Sequence, residues 1–381
     1  SFQDKSINND TVWDDDRSAN DAYLALKDFL SVYPEYIGRD FYVVGESYGG
    51  VYVPMLTSLL VEKIQSGDIQ GLNLVGMAVG NGELNSIIGS NSLLSDMYYH
   101  GYIGKGEWDQ LAQCCNTTYQ EVPLCPFDER YYVDSTGEAI PINKNDTCDQ
   151  LIANTINNIW TEEMLLSVKT NHWNFSSDVY NAYQDCYRQT SYLIGSVRST
   201  NMRKRIIRNL HTINQRNDRV GVVSAYRYAN DNYNPVSTDP LGGFPCYGTD
   251  AAGDYLNRPE VRRALHVPEN NPYVTTNWQF CDDYINENYN RQYNDTGPFF
   301  DKIIAANYPI KILIYNGDTD FACNFIGDQW FVESIGQRWG LQTTQPYSEW
   351  HYRNQIAGYG KQFAGGVVTL NLLTVKGLLS S

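Results

Sequence analysis

Phe41-Tyr42-Val43-Val44-Gly45-Glu46-Ser47-Tyr48-Gly49-Gly50 is a short apolar run that breaks into glycines around one serine. Behind it, Val51 to Ile64 returns to the helical spacing of apolar residues, so the stretch reads as strand, sharp turn and helix. The small residues flanking Ser47 permit the tight, strained backbone that projects a hydroxyl at the carboxyl edge of a sheet. The N-terminus of the next helix then faces any negative charge developing there, with the backbone N–H of Tyr48 as one oxyanion donor. Gly-x-Ser-x-Gly in this setting is the expected seat of a nucleophile, and a glycine-rich packing turn is the plainer alternative.

Working outward, Tyr23, Leu26, Phe29, Leu30 and Tyr33 fall at helical spacing, and Pro34 closes the run. Leu72 to Val79 reads as a buried strand ending in Gly80-Asn81-Gly82, and Ile310 to Tyr315 as another ending in Asn316-Gly317-Asp318. Phe363 to Leu379, broken by Asn371 and Lys376, also reads as buried strand rather than a membrane span. Strands alternating with helices imply an α/β fold on a parallel sheet. Between Ile88 and Gly253 that rhythm stops and cysteines, Asn and Tyr accumulate. The expected division is therefore a core in two pieces, 1–87 and 254–381, with an inserted, mainly helical, disulfide-bearing cap at 88–253.

With 28 Lys and Arg against 44 Asp and Glu, the formal net charge of the 381 residues is −16, which excludes nucleic-acid binding by bulk charge. The basic stretch from Arg198 to Arg219 is expected to be a solvated helix or a protease-sensitive loop, not a nucleic-acid patch. A 42% hydrophobic, 19% charged composition belongs to a folded chain with a large core. Nothing in the sequence calls for a metal or an organic cofactor. Eight cysteines together with Asn-x-Ser/Thr sites at Asn9, Asn116, Asn145, Asn174 and Asn294 favour the secretory pathway. The chain opens Ser1-Phe2-Gln3 with neither Met nor an apolar run, so an N-terminal segment is expected to have been lost or removed.

An α/β-hydrolase orders its triad as Ser, acid, His. Gly317-Asp318-Thr319-Asp320 follows a later strand, and one of its two carboxylates would orient the imidazole while the other caps the turn. Gly45-Glu46-Ser47-Tyr48-Gly49-Gly50, the run Tyr315 to Asn324 and the run Tyr255 to His266 together resemble the serine carboxypeptidases, nearest to the cathepsin A branch. The resemblance implies an α/β-hydrolase fold and release of C-terminal residues from peptides and proteins through an acyl-enzyme on Ser47. It makes Asp320 the triad acid and Glu46 the reader of the substrate's terminal carboxylate, and it sets Tyr48 and Cys323 in the pockets beside the scissile bond. It also implies the bonds Cys114–Cys148, Cys115–Cys125 and Cys186–Cys246, a pocket thiol at Cys323, and Cys281 left over. Adjacent Cys114 and Cys115 need separate partners on geometry alone. A glutamate beside the nucleophile suits an exopeptidase, because it tolerates an ionised chain end only by sharing a proton; such a pair works in acid, as in a lysosome or an acidic secreted fluid.

Two family segments do not appear. The Gly-Ala-Gly-His-Met-Val-Pro-like loop that carries the base is expected after Thr374-Val375-Lys376-Gly377, where this chain reads Leu378-Leu379-Ser380-Ser381. The Asn-Gly-Gly-Pro-Gly-Cys-Ser-Ser segment, with the other oxyanion donor, would precede Ser1. Of the remaining histidines, His100, His172 and His211 are read as structural or surface groups, and His266 as the end of the helix from Pro259. His351 alone follows Asp320, in a stretch that alternates like an edge strand. The expectation is a serine carboxypeptidase that is incompetent as written. A non-catalytic scaffold or stabilising homologue, or an acyltransferase on the same fold, are the alternatives.

Overall fold

The computed structural model describes residues 13–115, 125–133, 139–164, 177–178, 181–185, 248–267, 278 and 288–377. Strand β1 (Trp13–Asp14) leads into helix α1 (Asp15–Val32), whose first turn is capped by the Asp14 carboxylate accepting from Arg17 N. Next come β2 (Asp40–Ser47), α2 (Gly49–Gln65), β3 (Asn73–Gly82), α3 (Ser86–Tyr99) and α4 (Lys105–Cys114). The ribbon β4 (Tyr131–Val133) and β5 (Ala139–Pro141) precedes α5 (Thr147–Met164), and β6 (Ser177–Asp178) pairs with β7 (Asn181–Asp185). Helices α6 (Gly248–Leu256) and α7 (Pro259–Ala264) follow, then β8 (Tyr289–Asn290), which pairs with β1. Finally α8 (Gly297–Ala305), β9 (Ile310–Gly317), α9 (Phe325–Arg338), β10 (Gln342–Tyr352), β11 (Gln355–Gly365) and β12 (Val368–Val375) complete the fold.

Six strands form one sheet in the order β10-β11-β12-β9-β3-β2. From β12 to β2 the strands are parallel, so their carboxyl ends share one edge. The other end of the sheet is an antiparallel hairpin, β10 with β11, added to β12. The single strand expected over Phe363 to Leu379 is therefore the end of β11 and the whole of β12, with Gly366 at φ 57° in the turn between them. The apolar run Phe41 to Val44 forms the strand expected of it. Among the described residues β2 ends the sheet, and its side chains alternate: Val43 is buried while Tyr42 and Val44 on the other face are exposed.

Period-two burial in β9 and β12 places Ile310, Ile312, Ile314, Val368, Leu370 and Leu372 in the main core. There they meet Val53 and Leu60 of α2, Phe300 and Ile303 of α8, and Phe331 and Ile335 of α9. A second cluster gathers Leu94 and Met97 of α3, Trp108 and Leu111 of α4, Phe127, and Ile152 of α5. Disulfides Cys114–Cys148 and Cys115–Cys125 tie α4 to α5 and to the segment before Phe127. Phe321, from the turn after β9, is buried in this second cluster. That side chain joins the sheet edge to the helices beyond it.

Candidate active site

Ser47 is the last residue of β2 and has φ 58°, a left-handed backbone that a non-glycine residue adopts at a cost. Tyr48 follows as the N-cap of α2, and no side chain caps that helix. The turn is tight because α2 folds back on its own strand and on the start of the next connection. A Cβ at Gly45 would lie 2.7 Å from Val53 Cγ2 and 3.3 Å from Gly49 Cα. One at Gly50 would lie 2.5 Å from the Glu83 backbone nitrogen. The Glu83 N–H in turn donates to the Ser47 carbonyl at 2.9 Å. Ser47 and Glu46 are exposed at this edge.

Asp320 lies beyond the end of β9, two strand positions from β2, which is about 10 Å across the sheet. It is fully buried. Its Oδ2 accepts from Asn81 Nδ2 at 3.0 Å, and its Oδ1 accepts from the backbone N–H of Ala322 at 2.7 Å and of Cys323 at 3.3 Å. Asn81, at the end of the intervening strand β3, also accepts from Gly317 N at 3.1 Å and itself has φ 40°. This asparagine bolts the ends of β3 and β9 together and aims the carboxylate. The sequence reading named Gly80-Asn81-Gly82 only as a strand end; a polar residue between two glycines at a strand terminus was the signal available. Asp318 serves the turn instead: its N–H donates to Val375 O and its Oδ1 accepts from Gly377 N at 2.7 Å.

A second buried carboxyl, Asp328 in the first turn of α9, stands behind the site. Burial, and then the charge of Asp320, push it up to about 8 against hydrogen bonds from Asn316 and Gly82 N. Cys323, the free cysteine among the described residues, is raised well above a usual thiol, by burial first and then by Asp320, Asp328, Glu83 and Glu46. Four acidic groups thus surround one mostly buried sulfur. Tyr48 is held from the other side. Its hydroxyl donates to Asp15 Oδ1 at 3.0 Å, Tyr289 donates to the same oxygen at 2.9 Å, and Arg291 stands 5.2 Å over the Tyr48 ring. Burial, with Asp15, raises the Tyr48 phenol above its ordinary value. Glu83 is also raised, by burial first, with Arg291 opposing. Neither Asp15 nor Arg291 was singled out from the sequence, where they read as one more acid in a helix start and one more surface base.

The structure brings Glu46, Ser47, Tyr48, Asp320 and Cys323 to one sheet edge, but sets no described histidine between Ser47 and Asp320. His351 is half-exposed on β10, the outermost strand, about 14 Å from β9 by strand spacing, with Glu349 at 3.6 Å. His266 has φ 56° just past α7. His100 ends α3 and is taken up below. His172, His211, Cys186, Cys246 and Cys281 lie outside the described residues, as do Asn9, Asn116 and Asn174; Asn145 and Asn294 are exposed. Among the described residues no group of His, Cys, Asp and Glu is arranged to hold a metal ion, and no helix is long and apolar enough to cross a membrane.

Known proteins resemble this chain throughout. Two serine carboxypeptidases of Caenorhabditis elegans are 31% and 32% identical, over 95% and 96% of this chain and 64% and 65% of their own length. The lysosomal protective protein of Mus musculus is 30% identical, over 96% of this chain and 66% of its own. The chain therefore spans about two thirds of the curated relatives it matches. A prohormone-processing carboxypeptidase from Saccharomyces cerevisiae, of known structure, aligns over 92% of this chain and 60% of its own at 16% identity, with a TM-score of 0.49, too loose a likeness to add weight. A family model described as serine carboxypeptidase matches residues 1–378, and with these relatives it means that the chain belongs to the serine carboxypeptidase family.

Proposed function

We propose that this chain carries the acyl-transfer half of a serine-type carboxypeptidase, with Ser47 as nucleophile, the Tyr48 N–H as one oxyanion donor and Asp320 as the acid that orients an imidazole. The observation that carries the reading is the pairing of a left-handed Ser47 at a strand–helix elbow with a buried, thrice hydrogen-bonded Asp320 beyond a strand end of the same sheet edge. An imidazole that accepts from Ser47 and donates to Asp320 would have to bridge the two strand ends. Attack of Ser47 Oγ on the scissile carbonyl would pass its proton to that imidazole, and water would later release the acyl group. Glu46 would hold the substrate's terminal carboxylate through a shared proton, which favours acidic pH; Tyr48 and Cys323 would line the flanking pockets. Two disulfides and exposed Asn145 and Asn294 support a lysosomal or extracellular setting.

The test is reactivity of Ser47. The 381-residue chain should neither release C-terminal residues from a blocked dipeptide nor take a fluorophosphonate label at Ser47. A longer chain that continues past Lys376 into a histidine loop, and that also carries the second oxyanion segment, should do both, and Ser47→Ala should abolish them. No labelling in that longer chain would overturn the proposal. Labelling of the 381-residue chain that vanished in His351→Ala would transfer the base role to His351. A non-catalytic scaffold is the second reading, and the labelling experiment on the longer chain decides between the two.

A further inference from the structure

One ionisable pair, a buried aspartate and a part-buried histidine, takes no part in the proposed chemistry. Asp96 of α3 is fully buried, and neither of its carboxyl oxygens has a hydrogen-bond partner among the described residues. Burial, and then the charges of Asp320 and Asp318, push its carboxyl well above the ordinary range. One turn further on, His100 is the C-cap of α3. Its Nδ1 lies 2.9 Å from the Asp96 carbonyl oxygen and 3.5 Å from Asp96 Oδ1, and its Nε2 lies 2.9 Å from the Asp318 carbonyl oxygen. The ring meets Phe321 and Phe325 edge-on and tilts against Tyr183. Both ring nitrogens face carbonyl oxygens, and a ring nitrogen can hold a carbonyl only by donating its proton. The nearby acidic groups are Asp96, on its own helix, and Asp318 and Asp320, on the turn packed against it.

We infer that His100 is a positioning residue for the triad acid: by donating to the Asp318 carbonyl from the end of α3, it fixes the turn that presents Asp320. Asp318 is gripped on its other side by β12, through Val375 O and Gly377 N. The turn is therefore clamped between the sheet and α3, and Phe321 beside it packs into the α3 cluster. The role assigned to Asp320 rests on the hydrolase reading; the clamp does not. A histidine that merely filled space against Phe321 would be replaced without loss by another flat ring, and that difference supplies the test.

In the 381-residue chain, the backbone N–H groups of Ala322 and Cys323 report the turn directly, because both donate to Asp320 Oδ1. His100→Phe keeps a ring against Phe321 and loses both hydrogen bonds. It should speed hydrogen exchange at these two amides by about tenfold or more while leaving the β10–β11 hairpin unchanged. His100→Gln, whose side-chain amide serves one carbonyl, should fall between. Unchanged protection at Ala322 and Cys323 would overturn the inference, as would a rise spread evenly over the sheet. Should His100→Phe fail to fold, the unaltered protein carries the test: in nitrogen-labelled histidine spectra, His100 Nε2 should carry a proton that is slow to exchange with water. A bare or freely exchanging Nε2 would overturn it. None of these measurements needs turnover, so an inactive chain leaves them readable, and their failure leaves the hydrolase reading standing.

Discussion

At the end of β2, Ser47 keeps its left-handed backbone because glycines let α2 and the Glu83 backbone close around it; at the end of β9, Asp320 keeps its carboxylate because Asn81 and two turn amides donate to it. The serine is exposed and shaped by contact. The acid is buried and shaped by hydrogen bonds. Contact of this kind fails when atoms are added, whereas a buried polar network fails when a donor is lost or a charge changes. The two halves of the site should therefore answer to different substitutions and to different solution conditions.

The largest effect belongs to the acid side and depends on pH. Asp328 is raised from 3.8 to about 8 by burial first and then by Asp320. With the folded value above the unfolded one, the folded chain holds a proton that the unfolded chain releases between about pH 4 and about pH 8. That stabilisation is complete below pH 4 and is lost as pH rises towards 8, at up to about 1.4 kcal/mol per pH unit. Asp328→Asn, which keeps an acceptor for Gly82 N without the titration, should match the parent near pH 4 and exceed it by several kcal/mol near pH 8 in urea unfolding. Equal stabilities at pH 8 would mean that Asp328 is ionised in the folded chain and that the site holds one more charge than the comparison allows.

Next in size is the serine side. Gly50→Val should destabilise by about 3 kcal/mol, because its Cβ would strike the Glu83 nitrogen and carbonyl carbon, and backbone cannot rotate away. A loss of that size should be the same at pH 5 and pH 8, unlike the effect at Asp328. Thermal unfolding at the two pH values separates them.

Asn81→Ala should cost about 2 kcal/mol, since it strips Asp320 Oδ2 of a donor and Gly317 N of an acceptor inside the protein. Part of that loss comes from φ 40°, which alanine adopts poorly. Asn81→Gly should recover that backbone share and leave the hydrogen-bond share, so the pair of variants divides the two. If glycine restored the parent's stability, the acid would be held by the turn amides alone.

This contrast also explains what the sequence disclosed. The elbow was legible because backbone strain and close approach demand particular residues within a few positions of Ser47, and local demands leave local patterns. Apolar runs marked the strands, as in Ile310 to Tyr315, but not the residues that end up covered: Tyr42 and Val44 of β2 are exposed, because an apolar run does not say whether a helix packs on each face. The residues alone left Asp318 and Asp320 as alternatives, and the family resemblance chose Asp320. Its partner Asn81 lies 239 positions away in sequence, and Asp15, which holds Tyr48, is 33 positions away; no local pattern pairs either with the group it holds. The clamp from His100 spans 218 positions, so the sequence offers His100 only as a structural or surface group for the same reason.

The smallest expected effect tests whether the sequence pattern or the packing identifies the critical glycine. Gly-x-Ser-x-Gly names Gly49, yet a Cβ there would meet nothing nearer than Val53 Cγ2 at 4.0 Å, and its φ is not among the positive ones. It is also the first residue of α2, where alanine narrows the unfolded ensemble more than it costs the fold. Gly49→Ala should therefore be neutral or stabilising by about 0.5 kcal/mol, against the large loss at Gly50, which the five-residue pattern omits. A loss above about 1 kcal/mol at Gly49 would show that the elbow needs backbone freedom there as well as space, and the serine side would then share with Asn81 a dependence on unusual backbone angles.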